Sequence, residues 1–577
     1  MTEPMTEPMT EPMTEPRSLP VVLTGALWLA AAALLYLSFG YTEMMGSDLW
    51  WHLAAGREML AQGTVWLADP FSYSAAGEPW RNHEWLADIV FYLWAGAFGL
   101  PALVYWKWLV VVATYLGLAR VLERASGDRG AAVLAAGAAL ALAAPFIDLR
   151  PHLYTLAGVV LLFHLVLDRA PRRLPLCLLF LVWANLHGGF VFGLMALAIL
   201  AFPWRALAPA PLKAWALTVT ACALTSLLNP DGIVVFVQPI EYAFTDSPYR
   251  SLGEWLSPFL PGGIRSPLFV PALWVAGAAT VVHGALAWRG YRRLPLAALA
   301  LCALTVAMAV TSRRFIPLFG LALALLLAPL LADGLRMQFL RRLSPLLAGA
   351  TLAVAVLRLA PLPLAAGPAY HYLTAEYAYP EDLVDVITGN AIAGDTFAYY
   401  NWGGYLHWRT GGALRVFIDG RANTVYDDET YLAYLRVARA RPGWIAVVED
   451  SGADFFLWPL ESAGGPRLLA ELAATGRWQL VYAGFRGALM ARRGAPLPET
   501  VTLTPGFALD LSRARDALRR RDWAGAEAAA RRARDAVPWH QAACSTLAAA
   551  LRGQGRAADA AAVVDDCRRY FPTRYLR

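Results

Sequence analysis

The chain has 577 residues, of which 58% are hydrophobic and only 16% are charged, and its mean hydropathy is +0.44. Soluble globular proteins carry roughly 25% charged residues, and disordered proteins combine low hydrophobicity with high net charge, so both classes are excluded for most of the length. The 49 Lys and Arg outnumber the 43 Asp and Glu. The basic residues lie mainly in short loops between apolar runs, which indicates membrane orientation and no nucleic-acid partner.

Four Met-Thr-Glu-Pro repeats open the sequence, and we expect residues 1–17 to form a disordered tail. The apolar run near 18–40 is long enough for a first transmembrane helix. Further apolar runs lie near 101–121, 131–147, 151–168, 172–186, 188–203, 212–228, 268–288, 295–311, 314–332 and 343–361. The sequence therefore predicts a mainly α, polytopic helical bundle of about eleven spans over residues 18–362.

Residues 84–98 are apolar as well, but they are few and contain Asp88. We interpret them as an interfacial helix within a first outer loop at 41–100, with a twelfth span as the alternative.

Loop charges predict the orientation of these spans. Arginine-rich loops alternate with loops poor in positive charge, and cytoplasmic loops carry the excess of Lys and Arg. The basic set lies near 120–129, 169–173, 205–213, 289–293 and 336–342. We therefore expect a multi-pass protein of a bacterial inner membrane, with a cytoplasmic N-terminus. The loops at 41–100, 148–150, 186–188, 229–267 and 312–313, and everything after 361, would be extracytoplasmic.

The composition changes after residue 361, where a proline-containing linker precedes mixed sequence. Short β-like runs at 414–418, 444–448 and 478–482 alternate with helical stretches at 429–440 and 466–475. This pattern predicts a small extracytoplasmic α/β domain over 363–500.

Residues 506–577 are rich in Ala and Arg and helical in pattern. Pro538 and Pro572 lie 34 residues apart, and each closes an amphipathic helix. The spacing predicts tetratricopeptide-like repeats that would receive a protein partner, with an ordinary helical hairpin as the alternative. The five cysteines are scattered and odd in number, which indicates neither a zinc site nor a disulfide framework.

Polar residues concentrate in the predicted outer loops. Asp48 and His52 are four residues apart, so they share one face of a helix. The pair would act as a base, hold a metal ion or cap the first helical turn.

The other outer loops contain Asp148, Arg150, His152, His187, Arg313 and Arg314. Paired arginines on the face where positive charge is disfavoured point to a phosphate ligand, with snorkelling at the bilayer surface as the alternative. Several such loops on one face predict a shared polar cavity at the membrane boundary.

An acid at the start of a long first outer loop, followed by many spans and a terminal extracytoplasmic domain, resembles the GT-C superfamily of membrane glycosyltransferases. The Asp-Leu-Trp-Trp-His run at 48–52 is similar to the Asp-Pro-Tyr-Tyr-His type motif of oligosaccharyltransferase catalytic subunits. Tyr399, Tyr400 and the Asn-Trp-Gly-Gly-Tyr-Leu run at 401–406 resemble their Trp-Trp-Asp-Tyr-Gly motif, with Asn401 in place of the acid. A GT-C core before tetratricopeptide repeats also resembles protein O-mannosyltransferase-like proteins.

The resemblance implies transfer of a sugar from a polyprenyl-phosphate carrier, held in the lipid bilayer, to an acceptor on the outer face. Asp48 would be the catalytic base or a ligand of a divalent cation, Mg²⁺ or Mn²⁺, and His52 would orient it. The resemblance makes no cofactor certain. The residues expected at the donor phosphate are Arg150, His152, His187, Arg313 and Arg314; a second acid would be Asp148 or Glu84; the acceptor side would hold Tyr400, Asn401 and Trp402.

Two other functions are compatible with this sequence. A transporter or flippase of a lipid-linked or anionic substrate would also need cations near the membrane, although the internal repeats typical of transporters are not evident. A non-catalytic envelope scaffold would act through the C-terminal repeats, but it would have no need for the polar outer loops. The Phe417–Arg421 segment is left open between an acceptor-side loop and a strand end.

Overall fold

The computed structural model describes residues 19–42, 44, 46–167, 172–237, 247–360, 379–461, 464–538 and 540–568. The predicted tail at 1–17, the linker prolines after residue 360 and Pro572 lie outside these residues. The described chain is mainly helical, with a small sheet after the membrane region.

Helices occupy the positions of all the predicted apolar runs. The helices up to residue 359, including two in the first outer loop, are α1 (Leu19–Gly40), α2 (Asp48–Gln62), α3 (Trp85–Phe98), α4 (Leu103–Ser126), α5 (Arg129–Ala143), α6 (His152–Val166), α7 (Arg173–Leu186), α8 (Phe190–Leu200), α9 (Pro209–Ser226), α10 (Phe269–Trp288), α11 (Leu296–Thr311), α12 (Ile316–Arg336) and α13 (Gln338–Leu359).

Within the described chain, five helical segments are long and apolar enough to cross a membrane: Leu23–Gly40, Leu100–Ser126, Arg129–Phe146, Phe269–Trp288 and Arg313–Arg336. Shorter apolar helices are Trp85–Phe98, His152–Val166, Arg173–Leu186, Phe190–Leu200, Leu296–Thr311 and Leu343–Leu359. A multi-pass membrane bundle is thus present, and the number of eleven spans stays a prediction.

Helix α12 lies at the centre of the bundle because it is apolar on nearly every face. Its residues from Ile316 to Leu326 are buried, and it packs against α4 and α5. A Cβ atom on Gly320 would stand only 3.0 Å from the carbonyl oxygen of Ala139. Small residues allow such close approach between membrane helices, which explains the alanine-rich sequence of α5.

The first outer loop folds into α2, α3 and a short antiparallel hairpin of β1 (Leu67–Ala68) and β2 (Pro79–Trp80). Helices α2 and α3 cross at Gly56, where a Cβ atom would meet the carbonyl oxygen of Asp88 at 2.4 Å. Helix α3 has 14 residues and is therefore about 21 Å long. It is as long as α7, which belongs to a predicted span, so its interfacial position stays a prediction.

The segment after residue 378 contains a five-stranded sheet in the order β4-β3-β5-β7-β6, with β3 parallel to β4 and β5, and β7 antiparallel to β5 and β6. Its elements are α14 (Glu381–Gly389), β3 (Gly394–Ala398), α15 (Gly403–Thr410), β4 (Leu414–Val416), α16 (Asp428–Ala438), α17 (Trp444–Asp450), β5 (Phe455–Pro459), α18 (Gly465–Ala474), β6 (Trp478–Ala483) and β7 (Gly487–Arg492).

The predicted strand at 444–448 is wrong, since these residues form helix α17. A short apolar run cannot be told from a buried helical turn by its periodicity. Here Trp444 and Val448, four residues apart, are both buried on one helical face. The central strand follows instead at Phe455–Pro459.

The first outer loop and the sheet are joined by hydrogen bonds and ion pairs. The Val416 amide donates to the carbonyl of Phe71 and the Tyr73 amide donates to the carbonyl of Val416, both at 3.1 Å, so the loop extends the edge strand β4. Arg421 is buried and pairs with Asp69 at 2.6 Å. This contact fixes the sheet against the loop that carries α2.

Four helices end the described chain: α19 (Phe507–Arg519), α20 (Trp523–Ala536), α21 (Gln541–Gly553) and α22 (Ala557–Arg568). Each packs against the next, and α19 also contacts α21. The helical pattern predicted for this region is present up to Arg568, whereas its assignment as tetratricopeptide-like units stays a prediction.

Cys544 and Cys567 form a disulfide between α21 and α22, although the cysteine pattern indicated none. The packing of two neighbouring helices brings together residues that are 23 positions apart, which spacing alone does not show. Structural disulfides persist in oxidising compartments, so this bond agrees with an extracytoplasmic C-terminal region.

Candidate active site

A cavity of about 1060 Å³ lies where α2, the outer ends of several membrane helices, the loop before α10 and the sheet segment meet. The predicted site residues that line it are Asp48, His52, Glu84, Arg150, His152, His187, Arg314, Tyr400 and Asn401. The cavity wall does not include Asp148, Arg313 or Trp402. One part of the wall is apolar, with contributions from Val191, Phe192, Met195, Ile264, Leu304 and Met308.

Asp48 is the first residue of α2, and its carboxylate faces the cavity. Its Oδ2 lies 2.5 Å from Nη2 of Arg150, and its Oδ1 accepts a hydrogen bond from the Ser47 hydroxyl at 3.2 Å. A Cβ atom on Gly420 would stand 3.0 Å from Oδ1, so the sheet segment closes over the acid. The carboxylate therefore binds a cavity arginine and does not accept from a backbone amide as an N-terminal cap would.

Glu254 connects two of the arginines that line the cavity, Arg150 and Arg314, and the sequence does not predict it. Its Oε2 lies 2.6 Å from Nη1 of Arg150 and its Oε1 lies 3.2 Å from Nη1 of Arg314. Burial alone would raise the pKa of Glu254, but Arg150 and Arg314 lower it to about 2. The guanidinium of Arg314 also lies over the Trp255 ring, with its Cζ atom 4.9 Å from the ring centre. Two arginines are thus held together, with a carboxylate between them.

His52 does not orient Asp48, which corrects the expected role. Its Nδ1 lies 2.5 Å from Oδ1 of Asp88, and the other oxygen of Asp88 accepts from the Asn82 amide at 2.6 Å. The spacing placed His52 and Asp48 on one helical face, but the crossing at Gly56 brings Asp88 to the imidazole instead. Burial lowers the pKa of His52, yet Asp88 and Glu84 outweigh this effect and raise it.

Glu84 stands among three imidazoles at the cavity wall. Its carboxylate oxygens lie 3.4 Å from Nε2 of His187, 3.8 Å from that of His83 and 3.9 Å from that of His52. Within the described part of the chain, no group of three or more His, Cys, Asp and Glu side chains has the arrangement to hold a metal ion. The expectation of Mg²⁺ or Mn²⁺ is untested by the structure.

His187 and His152 also contact residues of neighbouring elements. Nδ1 of His187 lies 2.7 Å from the Thr155 hydroxyl, and Nε2 of His152 donates to the Phe146 carbonyl at 2.9 Å. These contacts fix both rings at the cavity wall, next to Arg150 and Arg314, without an ion pair to Asp48.

Arg313 is a structural anchor, contrary to its predicted place at the donor phosphate. Its side chain is fully buried, and its guanidinium donates to the carbonyls of Gly253, Leu260 and Gly262. The 3₁₀ turn at 313–315 sends Arg313 into the loop that carries Glu254 and Arg314 into the cavity.

Arg313→Gln should lower the free energy of unfolding by roughly 1–3 kcal/mol, because buried carbonyls lose a charged donor. Thermal unfolding of the solubilised protein measures this effect. Arg314→Gln is the matched control and should lower the midpoint less, because the side chains of Arg314 and its partner Glu254 are partly exposed. Equal midpoints for the two variants would contradict the anchoring role.

Asp148 and Trp402 also lie away from the cavity. The Asp148 carboxylate accepts from the Leu149 amide at 2.8 Å, and burial raises its pKa despite the charge of Lys107. Trp402 is buried beside Gly487 and Tyr399 in the sheet segment. Glu84, and not Asp148, is therefore the second carboxylate of the predicted set that reaches the cavity.

Tyr400 and Asn401 border the cavity on its sheet side. Tyr400 is buried, and its hydroxyl has no hydrogen-bond partner among the described residues. Burial, with the nearby Tyr249 and Asp48, holds its pKa well above the ordinary value. Tyr400 thus presents a neutral donor near Asp48.

The Asp419-Gly420-Arg421 segment follows strand β4, and Gly420 and Arg421 line the cavity. Arg421 pairs with Asp419 at 2.9 Å and donates to the Tyr426 hydroxyl at 2.8 Å. Burial would raise the pKa of Asp419, but Arg421 and His407 hold it well below its usual value. These contacts keep Gly420 against Asp48.

No protein-family model matches the sequence, and no curated protein matches it. Among solved structures, the oligosaccharyltransferase AglB from Archaeoglobus fulgidus, in complex with an inhibitory peptide and a dolichol-phosphate, superposes with a TM-score of 0.53 at 12% identity. The match covers 83% of this chain and 75% of that chain. This chain has a GT-C-like fold.

A second structure of the Archaeoglobus fulgidus oligosaccharyltransferase, in the apo form, gives a TM-score of 0.51 at 12% identity, with the same coverage of 83% and 75%. A third, tethered to an acceptor peptide that contains the NVT sequon, gives 0.50 at 13% identity and covers 82% of this chain and 75% of that chain. The GT-C-like fold confirms the superfamily resemblance at the level of architecture.

Proposed function

We propose that the protein is a GT-C-type membrane glycosyltransferase that moves a sugar from a polyprenyl-phosphate-linked donor to an acceptor on the extracytoplasmic face. The observation that carries the proposal is the ion-pair network of one cavity, in which Asp48 and Glu254 hold Arg150 and Arg314. A carboxylate beside two arginines meets the needs of a transfer that deprotonates an acceptor and releases a phosphate.

The donor would lie with its phosphate at Arg150 and Arg314. Guanidinium groups bind phosphate oxygens through charge-assisted hydrogen bonds. The apolar wall formed by α8 and α11 begins beside these arginines, and Phe192 and Met308 belong to it. We place the polyprenyl chain along this wall, where it would leave the cavity towards the bilayer.

Asp48 would remove the proton of the acceptor hydroxyl as the acceptor oxygen bonds to the anomeric carbon of the sugar. The bond between that carbon and the phosphate oxygen breaks, and polyprenyl phosphate leaves. Arg150 and Arg314 would stabilise its negative charge. Tyr400 and Asn401 line the cavity from the sheet segment, and we assign them to the acceptor. The imidazoles around Glu84 would hydrogen-bond to the sugar.

We further propose a bacterial inner membrane location with the cavity on the outer face, and a protein partner at the helices after residue 506. The alternating arginine-rich loops support this orientation, and the Cys544–Cys567 disulfide agrees with it.

Reporter fusions should place Gly127 and Arg292 in the cytoplasm and Gly77 and Ala453 outside it. The expectation follows from the arginines beside the first two positions, which disfavour translocation. Paired enzyme reporters that are active on opposite sides of the membrane measure it. A cytoplasmic signal at Gly77 or Ala453 would contradict the outer-face site.

Deletion of the gene tests the proposed reaction in cells. We expect a polyprenyl-phosphate-linked sugar to accumulate and one glycan to disappear, as read by mass spectrometry of membrane lipids and envelope glycans. Unchanged lipids and glycans in the deletion strain would contradict the proposed function.

A further inference from the structure

One carboxylate bridges two of the arginines that line the cavity, Arg150 and Arg314. Glu254 contacts Nη1 of Arg150 at 2.6 Å and Nη1 of Arg314 at 3.2 Å, one oxygen to each arginine. An unpaired charge in a largely buried site is costly, so the arginines need a counter-ion when no ligand is present. Glu254 supplies it.

A phosphate would use the same donors. Carboxylate and phosphate both offer oxygen atoms to the guanidinium fork. The charges of Arg150 and Arg314 are already balanced by Asp48 and Glu254, since each side contributes two. A bound phosphate would leave this cluster with excess negative charge unless one carboxylate moves away.

We propose that Glu254 is an internal counter-ion that occupies the position expected for the donor phosphate and is displaced when that phosphate binds. The inference rests on the proposed function, because it needs a phosphate-bearing ligand at these arginines. It adds a residue that sets donor affinity and links donor binding to the state of Arg150 and Asp48.

Glu254, and not Asp48, is the group that moves. Its backbone is held independently of its side chain, because its carbonyl accepts from the Ser312 hydroxyl at 3.1 Å and from the Arg314 amide at 3.2 Å. A rotation of the side chain away from the arginines therefore would not require the loop to move. Asp48 contacts only one of the two arginines and is closed in by Gly420.

Displacement would change the surroundings of the acid. Arg150 now spans Asp48 and Glu254. After displacement Arg150 would contact both Asp48 and the leaving phosphate.

The test is the affinity of the purified full-length protein for a short-chain polyprenyl monophosphate in detergent micelles, measured by calorimetry. Glu254→Gln should bind at least about tenfold more tightly, because apparent affinity falls with the fraction of binding-competent sites. Glu254→Asp keeps the charge but is too short to span both arginines, and it should also bind more tightly. Unfolding midpoints check that both variants fold.

Asp48→Asn is the matched control, since it removes the same charge from the same arginine. It should increase affinity less than Glu254→Gln does. Unchanged or weaker binding by Glu254→Gln would overturn the inference. So would equal gains for Glu254→Gln and Asp48→Asn with none for Glu254→Asp, because that pattern indicates net charge alone.

The same experiment distinguishes a failure of the proposed donor site from a failure of the Glu254 inference. If the wild type binds and Arg314→Gln does not, the donor site stands and the Glu254 variants alone decide the inference. If neither the wild type nor any variant binds the lipid, the donor site and the inference both fail. Inorganic phosphate as a second probe shows whether the headgroup suffices, and its affinity should follow the same order among the variants.

Discussion

Asp48→Asn should reduce turnover at least about a hundredfold while the protein still inserts and binds the carrier. A general base or metal ligand contributes roughly 10²–10⁴ in rate. Asparagine keeps the size and the hydrogen-bonding capacity of the side chain but cannot accept the acceptor proton. Sugar transfer under single-turnover conditions measures the loss directly.

Glu58→Gln is the control for this variant. Glu58 belongs to the same helix, and its carboxylate pairs with Arg57 and does not line the cavity. It should leave turnover within about twofold of the wild type, as expected for a surface pair of little energetic weight. Full activity of Asp48→Asn would remove the assigned base, and the scaffold interpretation would then take first place.

Arg314→Gln should weaken binding of a polyprenyl monophosphate at least about tenfold. A hydrogen bond to a charged group contributes about 1.5–3 kcal/mol, and tenfold corresponds to about 1.4 kcal/mol. Arg150→Gln should have a similar effect on affinity and should lower turnover as well, because it also releases Asp48. The measurement is the dissociation constant in micelles, with turnover determined separately.

Arg81→Gln controls for the loss of one positive charge, since Arg81 lines the same cavity without belonging to the Glu254 network. Its effect should be several times smaller and should vanish at high salt, because exposed charges are screened. Equal losses for Arg81→Gln and Arg314→Gln would indicate a diffuse positive field in place of a phosphate site.

The helical plan could be predicted because each long apolar run must satisfy its backbone hydrogen bonds within the segment. Every run that the sequence marked, from 18–40 to 343–361, coincides with a helix. The sheet was less predictable. Short buried strands and short buried helices share the same composition, which is why 444–448 was assigned to the wrong class.

The candidate site was predictable in its location and less so in its contacts. Asp48, Arg150 and Arg314 belong to the predicted outer loops, and all three line one cavity. Arg313 is buried and Arg314 lines the cavity, because one 3₁₀ turn directs the two side chains differently. Two identical neighbouring residues give no sequence signal for this difference. Glu254 belongs to a long loop and to no recognisable motif, so only its ion pairs with Arg150 and Arg314 identify it.

The hydrogen-bond partner of His52 could not be predicted from the sequence either. Helical spacing fixes the face that a side chain occupies but not its partner on a neighbouring helix. The close crossing at Gly56 decides that partner, and it selects Asp88. A glycine one turn after a histidine is too weak a signal to predict such a crossing.

Sugar transfer can be measured directly in proteoliposomes prepared with the membrane lipids of the deletion strain. With acceptor material from the same cells, the wild-type protein should consume a polyprenyl-phosphate-linked sugar and release polyprenyl phosphate, both followed by mass spectrometry. Asp48→Asn should leave the lipid-linked sugar in place. If wild-type protein moves that lipid intact across the bilayer, or leaves it unchanged, the protein is not the proposed glycosyltransferase.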